Sequence, residues 1–510
     1  MKYVSTRGSD KEYSFTEAFL NSYADDGGLM CPKTIPRLSE ETLNRWSQLD
    51  FFDLTLAILS IFIDESEIPT EELETIIKMA YENFHQEELV TMKSVGCVNF
   101  AEAFYGPTYH VKDFSMQFIG HFLKYLVRKD EENDRCNVYA VLVGTDSDTG
   151  ASMLAGTGYI DYRVNGFSIY PRNKIGYIQE REMISNVTSN GHSLCMENSD
   201  ITEVLEITRD LVLHNTHRDR IHMISANSCN IVRVICEIPL YFYAYFRSQH
   251  FPAPLGFSIP ISNMKSTYTL CLCEQMGLPI SRILLTCRPD SAGEQLFRFG
   301  RYRVHDSDKC HQPRFIHSNL ERILHMIDDR NVASIMQRVE NREWVEFPLQ
   351  RVREVFAKIV ILPVTEGVTR SAIKVLYNSP FHYLVCPNTA NSFAVTLSVM
   401  DFLKRWGETM ETMDVEALYA APREELKEAF ERVVKEGEEC CVVCLNGAHP
   451  GKFPYFVAEA LNAPAGNIMP KDIQDLPLRN SRISVIPKDL DFIRNYISHI
   501  CFDCVKQYYH

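Results

Sequence analysis

One lysine raises a chemical question. In "YHVKDFSMQF", residues 109–118, Lys112 stands between an aromatic stretch and a run of helical spacing. Phe114, Phe118, Phe122 and Leu126 recur every fourth residue, with Ile119 and Leu123 beside them. One helix face is therefore apolar, and Lys112 lies just before or at its N-terminus. The helix dipole disfavours a cation there, which leaves either a solvated surface charge or a group kept for its chemistry. Four other stretches gather polar groups: "GTDSDTG" (144–150), "SANSCNIVR" (225–233), "PISNMKS" (260–266) and "CPNTANS" (386–392). By residue type alone the second is a capped helix start, and Thr389 in the fourth is a turn residue. Two C-x-x-C pairs, Cys441/Cys444 and Cys501/Cys504, have the internal spacing of half a zinc site. The first lies in an apolar run that reads as a strand, where positions three apart face opposite sides, and the second follows far beyond zinc-ribbon spacing. Buried or free thiols are expected, and no metal.

The elements that must hold these groups follow from periodicity. Residues 36–90 read as helical: "SEETLNRWSQLDFFDLTLAILSIFI" opens on Ser39 with an acidic first turn, and "PTEELETIIKMAYENFH" has apolar residues at helical spacing after Pro69. From about residue 95 strands and helices alternate. "NVYAVLV" runs into the 144–150 loop, "GFSIYP" precedes helical "IGYIQEREMIS", and "HMISAN" precedes "NIVRVICEIPLYFYAYF". Further on, "LGFSIPIS" precedes helical "TYTLCLCEQMG", and "ISRILLTC" follows. Such alternation implies a mainly parallel sheet covered on both faces, with ligands at the carboxyl ends of its strands. "MDVEALYAAPREELKEAFERVVKEGEE" reads as a charged, amphipathic, solvated helical stretch.

Length and charge narrow the classes. A chain of 510 residues exceeds one hydrophobic core, and 45% apolar against 23% charged residues fits a folded globular protein. The formal charge is -15, with no long run of like charges, which argues against nucleic acid as a partner. The opening "MKYVSTRGSDKEYS" lacks an apolar signal core, and no stretch has the length of a membrane span. A soluble, cytoplasmic protein with reduced cysteines is expected.

The ordered segments resemble the threonine synthase family, including threonine synthase-like proteins of the type 2 kind. "YVSTRG" with "SFTEAFLNSYADDGGLMCP" is similar to the family's opening, and "YGPTYHVKDFSMQFIGHFL" to its lysine segment, G-P-T-x-x-F-K-D-F-x-x-Q-F. "YPRNKIGYIQEREM", "NSCNIVRVICEIPLYFYAYF", "SNLERIL" and "AHPGKFP" follow in the family's order, so the resemblance spans about residues 3–485. It implies an α/β chain of pyridoxal-phosphate fold type II, tryptophan synthase β-like, with parallel sheets flanked by helices and a mainly helical N-terminal domain. The expected division is 1–95, a catalytic core of two subdomains over 96–390, and a helical region completing the core over 391–510. The implied cofactor is pyridoxal 5'-phosphate, joined to Lys112 as an imine, with burial lowering the lysine pKa. The implied reaction is phosphate elimination from O-phosphohomoserine or a related O-phosphorylated amino acid by a monomer or homodimer, giving threonine or a keto acid.

The other site residues come from the same likeness, together with departures from it. Relatives carry P-T-G-N-F-G-N as a phosphate cradle, where this chain has Ser262, Asn263, Met264, Lys265 and Ser266 after Pro260 and Ile261. Both glycines are replaced, by Ser262 and Lys265, whose hydroxyl and ammonium still suit a phosphate. Thr389 matches a family threonine near the pyridine nitrogen, with Asn388 in place of a histidine, and Asn227 belongs with the cofactor residues. The substrate set is Asp148, Thr149, Gly150, Ser225, Asn230 and Arg233, with Ser228 in the same motif. Asp146 and Ser147 depart from the family's S-G-D-T-G loop. A carboxylate about 4 Å from an anionic substrate group, at an effective dielectric of about 20, costs about 4 kcal/mol, roughly a thousandfold. The expected lyase therefore stands beside an alternative, a fold-retaining protein of impaired catalysis with a binding or regulatory role.

Overall fold

The computed structural model describes residues 1–186, 188–248, 251–304, 316–421, 425–434 and 441–508. Near the N-terminus, strand Tyr3–Ser5 pairs antiparallel with Met30–Pro32, and helix Phe15–Asn21 lies between them with a Ser14/Glu17 capping box. Helices Glu40–Trp46 and Phe51–Phe62 start where Ser39 and Asp50 accept the amides of Thr42 and Asp53. Helix Thr70–Tyr81 follows Pro69. Helix Thr70–Tyr81 and the start of helix Phe51–Phe62 lie against the helix that begins at Lys112, while Trp46 packs on Phe242. Phe51 and Tyr81 each stand 5.3 Å, ring to ring, from Phe114. The expected helical N-terminal region thus braces the outer side of that helix.

Two sheets form the rest. One has five parallel strands in the order Ser484–Ile486, Gly191–Met196, Val164–Pro171, Val138–Gly144 and Ile221–Ser225. The other has six, in the order Ile359–Pro363, Ile280–Cys287, Leu255–Pro260, Val442–Asn446, Val98–Glu102 and Thr91–Val95, all parallel except the last pair. Strand Val138–Gly144 is buried along its whole length and has neighbours on both sides that follow it in sequence. The chain order reverses there, so the loop after Gly144 opens into a crevice.

Four expectations differ in detail. The division at residue 95 falls at the end of a strand whose hairpin partner begins at Val98, so the N-terminal region and the six-stranded sheet share that hairpin. Residues 391–510 are not only helical, because they contribute Val442–Asn446 inside one sheet and Ser484–Ile486 at the edge of the other. The charged stretch from 413 onward forms two short helices, Val415–Ala420 and Leu426–Val433, which bury Leu418, Ala429 and Val433. Its residues 422–424 and 435–439 lie outside those described. The run "NIVRVICEIPLYFYAYF" is likewise two helices, Ile231–Ile235 and Ile238–Phe246. Pro239 cannot donate a bond to the preceding turn, and the break leaves Glu237 at the junction.

A close approach fixes the site's two halves. Helices Lys112–Glu132 and Thr149–Thr157 meet at Gly120 and Gly156, where a Cβ on Gly120 would overlap the Gly156 carbonyl. The backbones touch at this crossing, which sets the distance between Lys112 and the loop before Thr149.

Candidate active site

The carboxyl ends of the strands and the starts of four helices surround a cavity of about 590 Å³. Lys112 lines it as the first residue of its helix, and its Nζ lies 3.5 Å from Ser147 Oγ. Burial lowers its pKa to about 8, with Arg233 and Lys265 adding to the effect and Asp148 and Asp146 opposing it. The reading of Lys112 as a solvated surface charge is excluded. Its backbone position is over-determined. Its N–H donates to His110 Nδ1 (3.2 Å), the Val111 N–H to the Gly447 carbonyl (2.7 Å), and the His449 N–H to the Tyr109 carbonyl (3.0 Å). Buried Asp113 folds the preceding loop back by accepting from the Thr108 N–H (2.8 Å) and Thr108 Oγ1 (2.6 Å).

Next to the lysine runs the loop from Gly144 to Thr149. Asn227 pairs with Gly144 as if it were another strand residue: its Oδ1 accepts from the Gly144 N–H (3.0 Å) and its Nδ2 donates to the Gly144 carbonyl (2.8 Å). Thr145 Oγ1 donates to the Ser147 carbonyl and accepts from the Ser147 N–H, both at 3.0 Å, which closes a tight turn. Asp146 is exposed towards the cavity, yet the surrounding wall raises its pKa, with Asp148 adding and Lys112 opposing. Asp148 is buried. Its Oδ1 lies 3.1 Å from Lys452 Nζ and 3.3 Å from Gln179 Nε2, and its Oδ2 lies 3.6 Å from His110 Nε2. Burial pushes its pKa up, but Lys452 and the other neighbouring cations outweigh this and hold it well below the usual range.

Lys452, its side chain wholly buried, pairs with Glu182 as well as Asp148 and donates to the Thr108 carbonyl (2.9 Å). Burial opposes its charge, yet the two carboxylates raise its pKa to about 12. Glu182 is pushed up to about 7 by burial and by Asp148, against the pull of Lys452. His110 is held well below its ordinary pKa by burial and by the ammonium of Lys112, so its imidazole is neutral. This network ties the C-terminal segment, the 144–150 loop and the approach to Lys112 into one unit.

Across the cavity, residues 260–266 turn into helix Lys265–Gln275. Ser262 has φ 44° and Met264 φ 63°, left-handed values that glycine adopts without strain. The Lys265 N–H donates to Asn263 Oδ1 (3.2 Å), and Asn263 Nδ2 donates to Ser228 Oγ (2.7 Å). The amides of Ser266 and Thr267 belong to the first helical turn and have no intrahelical acceptor. Lys265 Nζ is not a free point charge as expected, because it pairs with Glu237 Oε2 at 2.6 Å. Burial lowers the Lys265 pKa, with Arg233 adding and Glu237 opposing. Buried Arg233 donates from Nη1 to the Ala226 carbonyl (2.8 Å), while its Nε has no hydrogen-bond partner among the described residues. At the third wall, Thr389 lies in the first turn of helix Pro387–Trp406, which Cys386 caps, and its Oγ1 donates to Asn446 Oδ1 (2.9 Å).

Lys112, Asp148, Thr149, Asn227, Arg233, Ser262, Asn263, Lys265, Ser266 and Thr389 therefore share one cavity. Four expected site residues do not. Met264 is fully buried beneath the turn. A Cβ on Gly150 would strike Met183 and Ser168, so its role is close packing. Asn230 caps a helix and donates to the Phe19 and Ser225 carbonyls (3.0 Å each), while Ser225 receives from Ser22 and lines a separate, smaller cavity. Both act as braces, the capped-helix reading of that motif. Sequence reasoning missed His110, Glu182, Glu237 and Lys452. The signals were a charge inside an apolar run for Glu237 and, for Lys452, its place in "AHPGKFP". Cys441 lies against Met400 and Cys444 is buried near Thr396. Among the described residues no three His, Cys, Asp or Glu are grouped to hold a metal, and the side chain of Cys504 lies outside them.

Known proteins resemble this chain along most of its length. Family models described as "Threonine synthase N terminus" and "Threonine synthase, C-terminal" match residues 2–81 and 427–497. Threonine synthase of Eremothecium gossypii is 32% identical over 360 residues, covering 66% of this chain and 70% of that one. Threonine synthase of Saccharomyces cerevisiae is 26% identical over 96% of this chain and 95% of its own, and threonine synthase-like 2 of Rattus norvegicus 27% over 77% and 82%. Among solved structures, yeast threonine synthase superposes with a TM-score of 0.82 at 24% identity, covering 98% of this chain and 99% of that one. The PLP-bound threonine synthase of Brucella melitensis gives 0.80 at 22%, with the same coverage. These two likenesses show the fold, pyridoxal-phosphate fold type II.

Proposed function

We propose, from the premise that the chain belongs to the threonine synthase family, that it is a pyridoxal-phosphate-dependent carbon–oxygen lyase that eliminates phosphate from an O-phosphorylated amino acid such as O-phosphohomoserine. The observation that carries this is Lys112: a lysine on the cavity wall, brought to about 8 by burial, without an ion-pair partner among the described residues, opposite a helix start rich in donors. The donor set fits the cofactor. Lys112 would hold the aldehyde carbon. Ser262, Lys265, Ser266 and the open first-turn amides of helix Lys265–Gln275 would hold the phosphate, and Thr389 the ring end. The unpartnered Nε of Arg233 is a further buried donor in the same wall. When bound, pyridoxal phosphate supplies an aldehyde for amines and a ring that withdraws electrons from the α-carbon.

The chain's own groups do the rest. Lys112 Nζ, partly neutral near pH 8, is the base that takes and returns protons at the substrate carbons. Ser147 Oγ, Thr149 and the loop backbone orient the substrate, while Asp148 is committed to Lys452 and acts by holding that loop. Asp146 selects against anionic groups near the loop, and its raised pKa weakens that penalty. No described helix is long and apolar enough to cross a membrane. A cytoplasmic monomer or homodimer is part of this proposal, tested by fractionation and sedimentation. The second reading, a binding or regulatory protein of impaired catalysis, is favoured by one observation, the Lys265–Glu237 ion pair inside the cradle. Phosphate release from O-phosphohomoserine by the cofactor-loaded protein, lost in Lys112→Ala, supports the lyase. A protein that takes up the cofactor but releases no phosphate from any O-phosphorylated amino acid supports the second reading.

A further inference from the structure

The turn that would receive the cofactor phosphate already contains an anion. Glu237 lies at the break between helices Ile231–Ile235 and Ile238–Phe246, only 3% exposed, and points at the start of helix Lys265–Gln275. Its Oε1 accepts from Ser266 Oγ (2.6 Å) and from the Tyr241 hydroxyl (3.0 Å), and its Oε2 lies 2.6 Å from Lys265 Nζ. Arg233, four residues earlier and buried, adds a second cation to the same wall. The carboxylate thus accepts from Ser266 and forms a close ion pair with Lys265, outside hydrogen-bond geometry, and so occupies both side chains that a phosphate at this helix start would need.

We propose that Glu237 is an internal competitor of the cofactor phosphate, so that Lys265 and Ser266 are shared between the carboxylate and the phosphate, and cofactor affinity is set by how readily Glu237 yields them. This rests on the reading that the cradle takes a phosphate. Glycine in the cradle leaves backbone amides as the donors, and nothing needs to be released. Here a lysine stands at that position, and its charge is neutralised by a neighbour before any ligand arrives. A dianionic phosphate drawing on Lys265 must also sit near the Glu237 carboxylate, and like charges at such range in a buried wall repel. A glutamate that merely aimed Lys265 at the phosphate would give the opposite sign, because its loss would disorder the lysine and weaken binding.

The test titrates the full-length protein and its E237Q, E237D, K265G and E237Q/K265G variants with pyridoxal phosphate, followed by visible absorbance. Inorganic phosphate, followed by phosphorus NMR, and pyridoxal, which lacks the phosphate, are titrated alongside. Glu237→Gln is expected to tighten pyridoxal phosphate and inorganic phosphate by about tenfold or more. Lys265→Gly should weaken both, pyridoxal should bind all variants alike, and part of the E237Q gain should persist in the K265G background, because the carboxylate still holds Ser266 and still repels the phosphate there. Should E237Q fail to fold, E237D, which withdraws the carboxylate by one methylene, is expected to tighten binding several-fold. Unchanged or weaker phosphate binding in the folded Glu237 variants overturns the competitor role while leaving the cofactor reading intact. If no variant, and not the unaltered protein, binds pyridoxal phosphate or phosphate, the cradle reading fails and the competitor role with it.

Discussion

Replacing Lys452 by methionine tests the network that holds the cavity together. The ammonium is fully buried between Asp148 and Glu182, whose side chains are 5% and 9% exposed. Methionine matches the lysine stem in length and removes only the charge and its hydrogen bonds, including the one to the Thr108 carbonyl. Breaking a buried ion pair on one side costs about 3–5 kcal/mol, because the remaining charge has neither water nor a partner. Here two carboxylates are left facing each other, so protonation is the available relief. Glu182 already titrates at about 7 with the ammonium present and moves higher without it. A folded-state pKa raised above the unfolded value of 4.5 gives a contribution to stability that is present below that value and lost as pH rises through the folded pKa. The K452M deficit is therefore largest above about pH 7 and shrinks towards pH 5. Urea unfolding at pH 8 and at pH 5, followed by far-UV circular dichroism and by tyrosine fluorescence, measures it; the midpoint of the first transition is the quantity to compare, since a chain of this size need not unfold in one step. A second substitution, Glu182→Gln, should recover part of the loss at pH 8. A deficit under about 1 kcal/mol at pH 8, or one that grows as pH falls to 5, refutes the assignment of Lys452 as a buried counter-ion.

Other outcomes follow from the same structure. The rate at which the apo-protein condenses with pyridoxal phosphate should rise with pH through a midpoint at about 8, where Lys112 loses its proton, well below the 10.5 of an ordinary lysine; stopped-flow absorbance reads it, and a midpoint above 10 contradicts the burial of that amine. Gly120→Ala drives a methyl into the Gly156 carbonyl and should cost about 1–3 kcal/mol or more, seen as a lower Tm, with faster loss of cofactor as the two helices part. Asp146→Ser removes an exposed charge beside the loop and should raise kcat/KM for O-phosphohomoserine by about ten- to a hundredfold, less than the roughly thousandfold of a pair about 4 Å apart at a dielectric of about 20, because the carboxylate also meets solvent and salt. An unchanged kcat/KM would falsify the selective role of Asp146.

Much of the fold was legible because periodicity and capping report local structure directly. The four-residue repeat after Lys112 marks a helix that starts at that residue, and the continuous apolar run before Gly144 is a strand buried on both faces. Val442–Asn446 was readable as a strand, but its position between Leu255–Pro260 and Val98–Glu102 depends on pairing with residues far away in sequence. The cavity wall was only partly legible. Polar residues in "SANSCNIVR" could face either a ligand or their own helix start, and burial decided between them: Asn227 reaches the cavity, while Asn230 caps. Met264 was misplaced because a turn of seven residues carries no periodicity to say which side chain points inward. Glu237 and Lys452 stayed hidden since a buried charge is intelligible only through its counter-ions, and theirs lie 28 and 270 or more positions away.

The central claim is that Lys112 carries the cofactor, and the most direct measurement is the position of a covalent tag. The protein loaded with pyridoxal phosphate is reduced with borohydride, digested and mapped by mass spectrometry. A single pyridoxyl group on the peptide containing "HVKDFSMQF", at Lys112, is the predicted result. A tag on Lys265, Lys452 or another lysine, or no tag at all, contradicts it.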